Sequence, residues 1–341
     1  MLVPPVARIG QNSASRLPAS GGMLGLSGQI EGSLAMHMGL KCAATAALFA
    51  LFAAAATAAA ATSANPPTAG FGAELTCNQC PTWNAEQAPF RVAPNVWYVG
   101  PRGLSSLLIQ TSDGLILIDG GLPQSAAQIA THIRQLGFQP GQIRYLLNSH
   151  AHFDHAGGLA ALAAWSGATV VSSPVGLATL RAGVAPANDP QAEFGQRAGF
   201  PTLPANHPTR AIGDREVLRL GSTELVAEYT PGHAPGGLSW RWQACDANQR
   251  CVNMVYADSL GAVSGPNYRF TEHPDAIDAL RHSIARVAGL DCDVLVSTHP
   301  EVSQLFERQA SGDLIDTTAC RRYADQAEQG LQRRLQREQA E

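Results

Sequence analysis

Three histidines and an aspartate lie within six positions of the segment NSHAHFDHAGG, residues 148–158. Residues two apart in extended or turn geometry point the same way, so His150 and His152 can bind one ion together. Asp154 and His155 can turn towards a second ion nearby. Imidazole and carboxylate are ligands that zinc accepts, and three protein ligands plus water are typical of a catalytic site. The spacing therefore predicts a metal-dependent catalytic centre rather than a group of surface histidines.

This segment alone cannot complete two sites, because each catalytic zinc usually needs three protein ligands. Two further histidines stand at comparable positions in the chain. His233 lies in TPGHAPGG, after the strand-like run LVAEYT, and His299 lies in VSTHPE, at the end of an apolar run. Binding sites are usually built on loops that a rigid sheet fixes in place. We therefore expect His233 and His299 to supply the two missing ligands.

The elements that position these residues form two similar halves. In the first half, the apolar runs on either side of Asp113-Gly114 predict a β-hairpin, and residues 124–137 have helical spacing. The run IRYLLNSH predicts a buried strand that ends at the histidine cluster. The second half has a hairpin about Gly221, further strand-like and helical runs, and a charged helix over residues 313–339. Strands followed by αβ units in both halves predict an α/β fold, with two β-sheets face to face and helices outside.

Residues 183–210 are rich in proline, glycine, alanine and asparagine and have little periodicity. A long irregular segment inside a compact domain is usually functional or mobile, so we expect this one to border the site. His132 and His282 lie on predicted helices and are expected at the surface. Asp119 precedes two glycines in a tight turn. It is expected to be structural or to orient a metal-bound histidine.

An apolar, alanine-rich run follows Lys41, the only lysine in the chain. A basic residue, an apolar run and an exit of small residues are typical of a secretory signal peptide. No later segment is long and apolar enough to span a bilayer. We therefore divide the chain into residues 1–35, an extension that translation from Met36 would omit; residues 36–64, a cleaved signal peptide; and residues 65–341, the functional domain.

The charge and the cysteines indicate the kind of partner and the compartment. The formal net charge is −4 at pH 7 and no basic patch marks a nucleic-acid surface, so we expect small molecules and not nucleic acids as partners. We also expect a monomer without a stable membrane anchor. Six cysteines remain after the leader, an even number in a compartment that we expect to be oxidising. A zinc ribbon would need a second CxxC pair, which is absent. The expected disulfides are Cys77–Cys80, Cys245–Cys251, which would close a hairpin, and Cys292–Cys320, which would tie a late strand to the C-terminal helix.

The motifs DGG at 119–121, SHAHFDHAGG, TPGHAPGG, YADSL and STHP together resemble the metallo-β-lactamase superfamily, and more closely its subclass B3. The resemblance runs from about Phe90 to the C-terminal helix. It implies a four-layer αββα sandwich that binds two zinc ions. The ligands that it implies are His150, His152 and His233 for one zinc, and Asp154, His155 and His299 for the other.

The resemblance also implies a function. It implies hydrolysis of the β-lactam ring of penicillins, cephalosporins and carbapenems by a zinc-bound hydroxide that Asp154 orients, and so antibiotic resistance in the periplasm. Ser259 is expected to help bind the substrate carboxylate. The family often has serine or threonine two positions further on, where this chain has Gly261. The carboxylate contact is therefore weaker, mediated by water, or moved to Ser264 or an arginine.

Two other functions stay open at this point. A lactonase or a glyoxalase-II-like thioesterase would share the histidine motif but use an aspartate to bridge both metal ions, and YADSL supplies Asp258. A secreted zinc-binding protein without catalysis is the other alternative. Six ligands divided three and three argue against it, because closed structural sites usually have four ligands per ion. An Asp258 carboxylate between the two ions would count against the β-lactamase interpretation.

Overall fold

The computed structural model describes residues 74–197 and 199–341. The expected extension and signal peptide, residues 1–64, lie outside these described residues, so the division of the chain stays a prediction. Within the described part, the strands form two β-sheets and helices pack on their outer faces. None of the helices described there has the length and apolar character needed to cross a membrane.

The first sheet has seven strands in the order β1 to β7. Strands β1 to β4 pair antiparallel, and β4 to β7 pair parallel. The expected hairpin is present, with Thr111 opposite Gly114 at its turn. The strands are β1 Phe90–Ala93, β2 Val96–Tyr98, β3 Leu107–Thr111, β4 Gly114–Ile118, β5 Ile143–Leu147, β6 Thr169–Ser172 and β7 Thr209–Ala211.

The second sheet has five strands in the order β12-β11-β10-β9-β8. Strands β8 to β11 pair antiparallel, whereas β12 pairs parallel with β11. Gly221 forms the turn of the second expected hairpin with a φ of 57°, a left-handed conformation that glycine adopts without strain. The strands are β8 Val217–Leu220, β9 Thr223–Tyr229, β10 Leu238–Cys245, β11 Cys251–Ala257 and β12 Val294–Ser297.

Nine α-helices are described between residues 74 and 341, together with short 3₁₀ turns at Pro140–Gln142 and Phe270–Glu272. The helices are α1 Cys80–Trp83, α2 Ser125–Gln135, α3 Phe153–Ala156, α4 Leu159–Ser166, α5 Pro174–Ala182, α6 Ala192–Arg197, α7 Pro274–Ala288, α8 Leu305–Ser311 and α9 Ala319–Ala340.

The prediction of a terminal helix over residues 313–339 is wrong at its start, because α9 begins six residues later. Gly312, with a φ of 76°, ends α8. Asp316 then accepts hydrogen bonds from the backbone and hydroxyl of Thr318, which holds the connecting segment in a turn. Aspartate and threonine compete in this way with helical hydrogen bonding, and they favour turns and helix starts.

Three clusters of buried apolar side chains divide the molecule into four layers. One lies between the sheets and includes Ile116 of β4 and Trp240 of β10. A second packs α2 and α4 against the outer face of the first sheet, where Leu117 alternates with Ile116. The third packs α7 and α9 against the second sheet around Val255 and Tyr323. This αββα sandwich confirms the predicted fold class.

His132 contradicts the expectation that it lies at the surface. It is buried on the face of α2 that packs on the first sheet, beside Ile129 and Ile133. Its Nδ1 donates a hydrogen bond of 2.8 Å to the backbone carbonyl of Val99. That bond satisfies the ring where water is excluded, so a polar side chain is tolerated on a helix face that is otherwise apolar.

The structure contains the three expected disulfides, Cys77–Cys80, Cys245–Cys251 and Cys292–Cys320. The second joins directly opposite residues of the β10–β11 pair. The third ties the segment before β12 to the first turn of α9 and so fixes this helix on the second sheet.

Loop length predicts that the third disulfide stabilises the fold most. Replacing both Cys292 and Cys320 with serine removes a bridge across a sequence separation of 28. This should lower the free energy of unfolding by about 3.6 kcal/mol. The same change at Cys245 and Cys251, with a separation of 6, is the matched control and should cost about 2.2 kcal/mol. Guanidinium unfolding measures both, and a larger loss at the shorter loop would contradict the entropic argument.

Candidate metal centre

The ends of strands from both sheets meet where the expected ligands lie. His150 and His152 follow β5 of the first sheet, His233 follows β9 and His299 follows β12. Strands β9, β11 and β12 run in the same direction, so their carboxyl ends share one edge of the second sheet. Asp154 belongs to the single turn of α3, which begins directly after His152.

Two adjoining groups of buried side chains could each hold a metal ion. In the first group, the ligand atoms of His150, His152 and His233 all lie within 4.8 Å of one another. The second group brings ligand atoms of His150, Asp154 and His155 within the same distance. All of these residues are buried, and His150 takes part in both groups.

His299 joins the second group through Asp154. Oδ2 of Asp154 lies 3.3 Å from Nε2 of His155 and 3.3 Å from Nε2 of His299. The ring centroids of His155 and His299 are 4.9 Å apart. The structure therefore brings all six expected ligands together at one edge of the sandwich.

The unpaired nitrogens of this centre fit a divalent metal ion. Nε2 of His150 and Nδ1 of His155 are buried and have no hydrogen-bond partner. Nearly all buried polar atoms in proteins are paired, so such atoms need a partner that the protein itself does not supply. A divalent cation bound by imidazole and carboxylate satisfies that need.

The protonation states are those of metal ligands, which must be deprotonated. Burial, together with the neighbouring His155 and His152, lowers the pKa of His150 well below its ordinary value. Burial likewise lowers the pKa of His233 to about 3. Burial alone would raise the pKa of Asp154, but His155 and His299 hold it well below its usual range. At these three residues the centre therefore offers two neutral imidazoles and an ionised carboxylate.

Asp258 lies behind His150 and not between the two groups. Its Oδ1 accepts a hydrogen bond of 2.6 Å from Nδ1 of His150, which leaves Nε2 of that ring facing the centre. The backbone of Asp258 is held by Ser239 and by the hydroxyl of Tyr323. Neither candidate metal group includes Asp258. This arrangement argues against the aspartate bridge of the lactonase and thioesterase alternative.

The irregular segment 183–210 borders the centre, as expected. Oδ2 of Asp189 lies 2.9 Å from Nε2 of His152, so the carboxylate holds this ring from behind. Its Oδ1 accepts a hydrogen bond of 2.7 Å from the backbone of Gln191. The Gln191 amide in turn lies 3.1 Å from Nε2 of His233. Nδ1 of that ring donates a hydrogen bond of 2.8 Å to the Gly261 carbonyl.

Asp119 has the structural role that the sequence indicates. Its carboxylate accepts hydrogen bonds from the backbone and hydroxyl of Ser149, at 2.7 and 2.6 Å. The hydroxyl of Tyr256 donates another at 2.9 Å. Burial raises the pKa of Asp119 in spite of these donors. These bonds fix the residue that precedes His150 and thereby the start of the ligand loop.

Ser259 lines a cavity that His233 and His299 also line. Its hydroxyl is 2.8 Å from the hydroxyl of Thr298. The alternative contact at Ser264 is not supported. Its hydroxyl accepts a hydrogen bond from Arg334, donates within its own loop, and does not line this cavity. Among the described residues, no arginine lines the cavity either.

Several residues of the centre were missed by the sequence analysis. Thr298 directly precedes His299, so its position in STHP was the one available signal. Asp189 and Gln191 lie in a segment without periodicity. Trp83 of α1 places its ring centroid 5.2 Å from that of His299. It comes from a part of the chain with no pattern that connects it to the ligands.

Residues 99–299 match the family model of the metallo-beta-lactamase superfamily, which is more than half of the chain. Every expected metal ligand lies within this range, as do Ser259 and Asp258. The chain therefore belongs to the metallo-beta-lactamase superfamily.

Solved structures narrow this class. The chain is similar to MEM-A1, a subclass B3 metallo-beta-lactamase isolated from a soil metagenome library. The two have 47% identity and a TM-score of 0.71, and the match covers 76% of this chain and 99% of MEM-A1. The Rm3 metallo-beta-lactamase has 46% identity and a TM-score of 0.72, over 77% of this chain and 99% of its own. Subclass B3 is thus the branch of the superfamily to which the chain is assigned.

Curated relatives are more distant. An N-acyl homoserine lactonase of Bacillus cereus is 28% identical over 152 residues, which is 38% of this chain. The chain spans about half the length of that relative, 54%. The shared part reflects the common superfamily and leaves the reaction open.

The contact between Asp258 and His150 predicts weaker metal binding when it is removed. The variant Asp258→Ala leaves Nδ1 of His150 without its acceptor, so the ring loses its fixed orientation and metal affinity should fall about 10- to 100-fold. Competition with a chromophoric chelator measures this affinity. Asp325→Ala, on the exposed side of α9, is the control and should bind metal as the wild type does. Equal affinity of all three proteins would refute the role of Asp258.

The contact between Asp189 and His152 gives a second prediction. Asp189→Ala removes the acceptor behind His152 and the turn that places Gln191, so metal affinity should fall at least about tenfold. Asp189→Asn keeps an acceptor oxygen and should lose less. Metal titration of the two variants distinguishes the effect of the lost hydrogen bond on metal affinity from the effect of the lost side-chain volume. If alanine and asparagine have the same effect, the hydrogen bond is not what positions His152.

Proposed function

We propose that this protein hydrolyses the β-lactam ring of penicillins, cephalosporins and carbapenems with two bound zinc ions, and so confers resistance to these antibiotics. The observation that carries the proposal is the pair of adjoining ligand groups, which His299 joins through Asp154, with buried nitrogens that lack a partner. Solved B3 relatives with close to half of their residues identical support the choice of reaction.

The proposed ligands divide between two ions. The lone pairs of neutral imidazoles and the ionised Asp154 carboxylate match the zinc preference for nitrogen and oxygen donors. Three protein ligands per ion leave coordination positions for water and substrate, as catalytic sites require. The proposed sets are His150, His152 and His233 for the first ion, and Asp154, His155 and His299 for the second.

A strained amide needs a strong nucleophile at neutral pH, and bound zinc ions would supply it by lowering the pKa of water to about 7 and polarising the lactam carbonyl. The protein contributes orientation and charge. Asp154 stays ionised beside His155 and His299, so its carboxylate can accept a hydrogen bond from the attacking water. Asp258 and Asp189 keep two of the rings in place. The Trp83 ring packs against the ring of His299.

The substrate carboxylate is assigned to the floor of the cavity beside the centre. The hydroxyls of Ser259 and Thr298 are in contact, so one donates to the other and the remaining hydrogen can point at an incoming anion. Gly261 adds no third donor, which makes this contact weaker than one with an additional hydroxyl group.

The protein is proposed to act as a secreted monomer in the periplasm, after cleavage of the signal peptide. Three disulfides within the described residues support an oxidising compartment, because such bonds are rare where thiols are kept reduced.

A lactonase is the second candidate, because curated relatives with that activity share part of the chain. The position of Asp258 counts against it. In a lactonase of this superfamily the aspartate would bridge both ions, whereas here the carboxylate is engaged by Nδ1 of His150.

A hydrolysis panel tests the proposal. The zinc-loaded protein should cleave a penicillin, a cephalosporin and a carbapenem and should spare a monobactam. The loss of lactam absorbance measures the cleavage. Excess chelator should abolish the activity and added zinc should restore it, because the nucleophile depends on the ions. An acyl homoserine lactone and a thioester are the comparison substrates. Cleavage of either without any β-lactam cleavage, or β-lactam cleavage that survives metal removal, would overturn the proposal.

A further inference from the structure

A cavity of about 250 Å³ leads from the metal centre to helix α9. His233 and His299 of the metal centre line it, together with the hydroxyl pair of Ser259 and Thr298. Its far wall is α9, through a face that includes Gly330. The cavity therefore continues the reaction centre in one direction, past the groups assigned to the substrate carboxylate.

Two glycines keep this cavity open. Outside its chain neighbours and the nearby backbone of its own helix, a Cβ at Gly330 would meet no atom within 4 Å, and one at Gly261 would meet only Val263, at 3.6 Å. Gly330 lies inside α9, where glycine is less favourable than alanine. No left-handed conformation requires glycine at either position. What the absent side chains provide is room in the cavity.

The walls of the cavity are mainly apolar. Leu260 and Ala327 line it, and Val263 and Val302 are 47% and 42% exposed at its rim. Only five large apolar side chains of the described residues are this exposed, and two of them lie here. Exposed apolar side chains that gather around a concave site mark a surface for an apolar ligand group.

We propose that this cavity is a subsite for an apolar substituent on the substrate ring that carries the carboxylate. The inference rests on the proposed β-lactam hydrolysis. In a cephalosporin the carboxylate-bearing carbon is attached to the lactam nitrogen, and the next ring carbon, C3, carries a variable substituent. With the lactam bond at the metal centre and the carboxylate at Ser259 and Thr298, that substituent extends towards Gly330.

Variants of Gly330 test the subsite without touching the metal centre. Gly330→Ala and Gly330→Leu fill the open space in two steps, and both residues favour a helix, so folding is not at risk. Gln329→Leu adds the same side chain to the exposed neighbouring position and is the matched control. The substrates are nitrocefin, which has a dinitrostyryl group at C3, and a cephalosporin with the same thienylacetamido side chain and a methyl group at C3.

The proposal requires a selective effect. Gly330→Leu should raise KM for nitrocefin about tenfold, because a tenfold loss corresponds to roughly 55 Å² of apolar substituent surface that is no longer buried. Gly330→Ala should have a smaller effect. The C3-methyl compound should change by less than about twofold, and Gln329→Leu should change neither substrate. Equal losses on both substrates, or no loss on nitrocefin, would overturn the subsite.

Binding of the reaction product gives a readout that does not depend on turnover. Hydrolysed nitrocefin is dialysed to equilibrium against each zinc-loaded protein, and its visible absorbance gives the amount bound. It should bind Gly330→Leu about tenfold more weakly than the wild type. Failure of the function is recognised separately, since a wild type that cleaves neither cephalosporin refutes the proposed hydrolysis and the subsite with it. An active wild type whose substrate preference and product binding are unchanged in Gly330→Leu refutes the subsite alone.

Discussion

Burial of several imidazole rings in one small volume is the constraint on which the rest of this structure depends. A buried ring nitrogen without a partner costs free energy, and each ring has two nitrogens to satisfy. The protein partners the rear nitrogen of three rings: Asp258 for His150, Asp189 for His152 and the Gly261 carbonyl for His233. For His150 and His152 the partner fixes the tautomer and leaves the opposite nitrogen as a lone-pair donor directed at the centre, whereas Nε2 of His233 also lies 3.1 Å from the Gln191 amide. The hydrogen bonds behind the rings thus decide which atoms can bind a metal ion.

The sandwich supplies this arrangement because its two sheets end at the same place. The central cluster of apolar side chains holds the sheets together, and helices cover both outer faces. The loops after β5, β9, β11 and β12 are therefore anchored on strands that cannot shift independently. Asp119 connects the two sheets at this edge, because it accepts hydrogen bonds from Ser149, in the loop after β5 of the first sheet, and from Tyr256 in β11 of the second. Rigid supports of this kind allow six candidate ligands, which come from three separate segments of the chain, to meet at short distances.

The grouping of the candidate ligands and the strands that carry them could be predicted, because both leave local patterns. The histidine segment is dense in ligand-type residues, and the apolar runs before His150, His233 and His299 mark the ends of strands. Residues that act through tertiary contacts leave no such pattern. Asp189 reaches His152 across 37 positions, and Trp83 approaches His299 from the other end of the domain. His132 was wrongly expected at the surface, because its burial depends on the carbonyl of Val99, which only the folded chain brings near.

The role of the Asp258 carboxylate is the clearest case of a feature that the sequence leaves open and the folded structure determines. From YADSL alone, its carboxylate could either bridge two ions or hold a ligand from behind, and these choices belong to different reactions. The chain settles the choice by packing. Tyr323 of α9 donates to the backbone carbonyl of Asp258, and Ser239 of β10 accepts from its N–H group. With the backbone held on both sides, the carboxylate points at Nδ1 of His150, and Ser259 faces the cavity instead. The helix that fixes this residue is also the helix that forms the far wall of the cavity, so one packing contact influences both the metal ligands and the space for substrate.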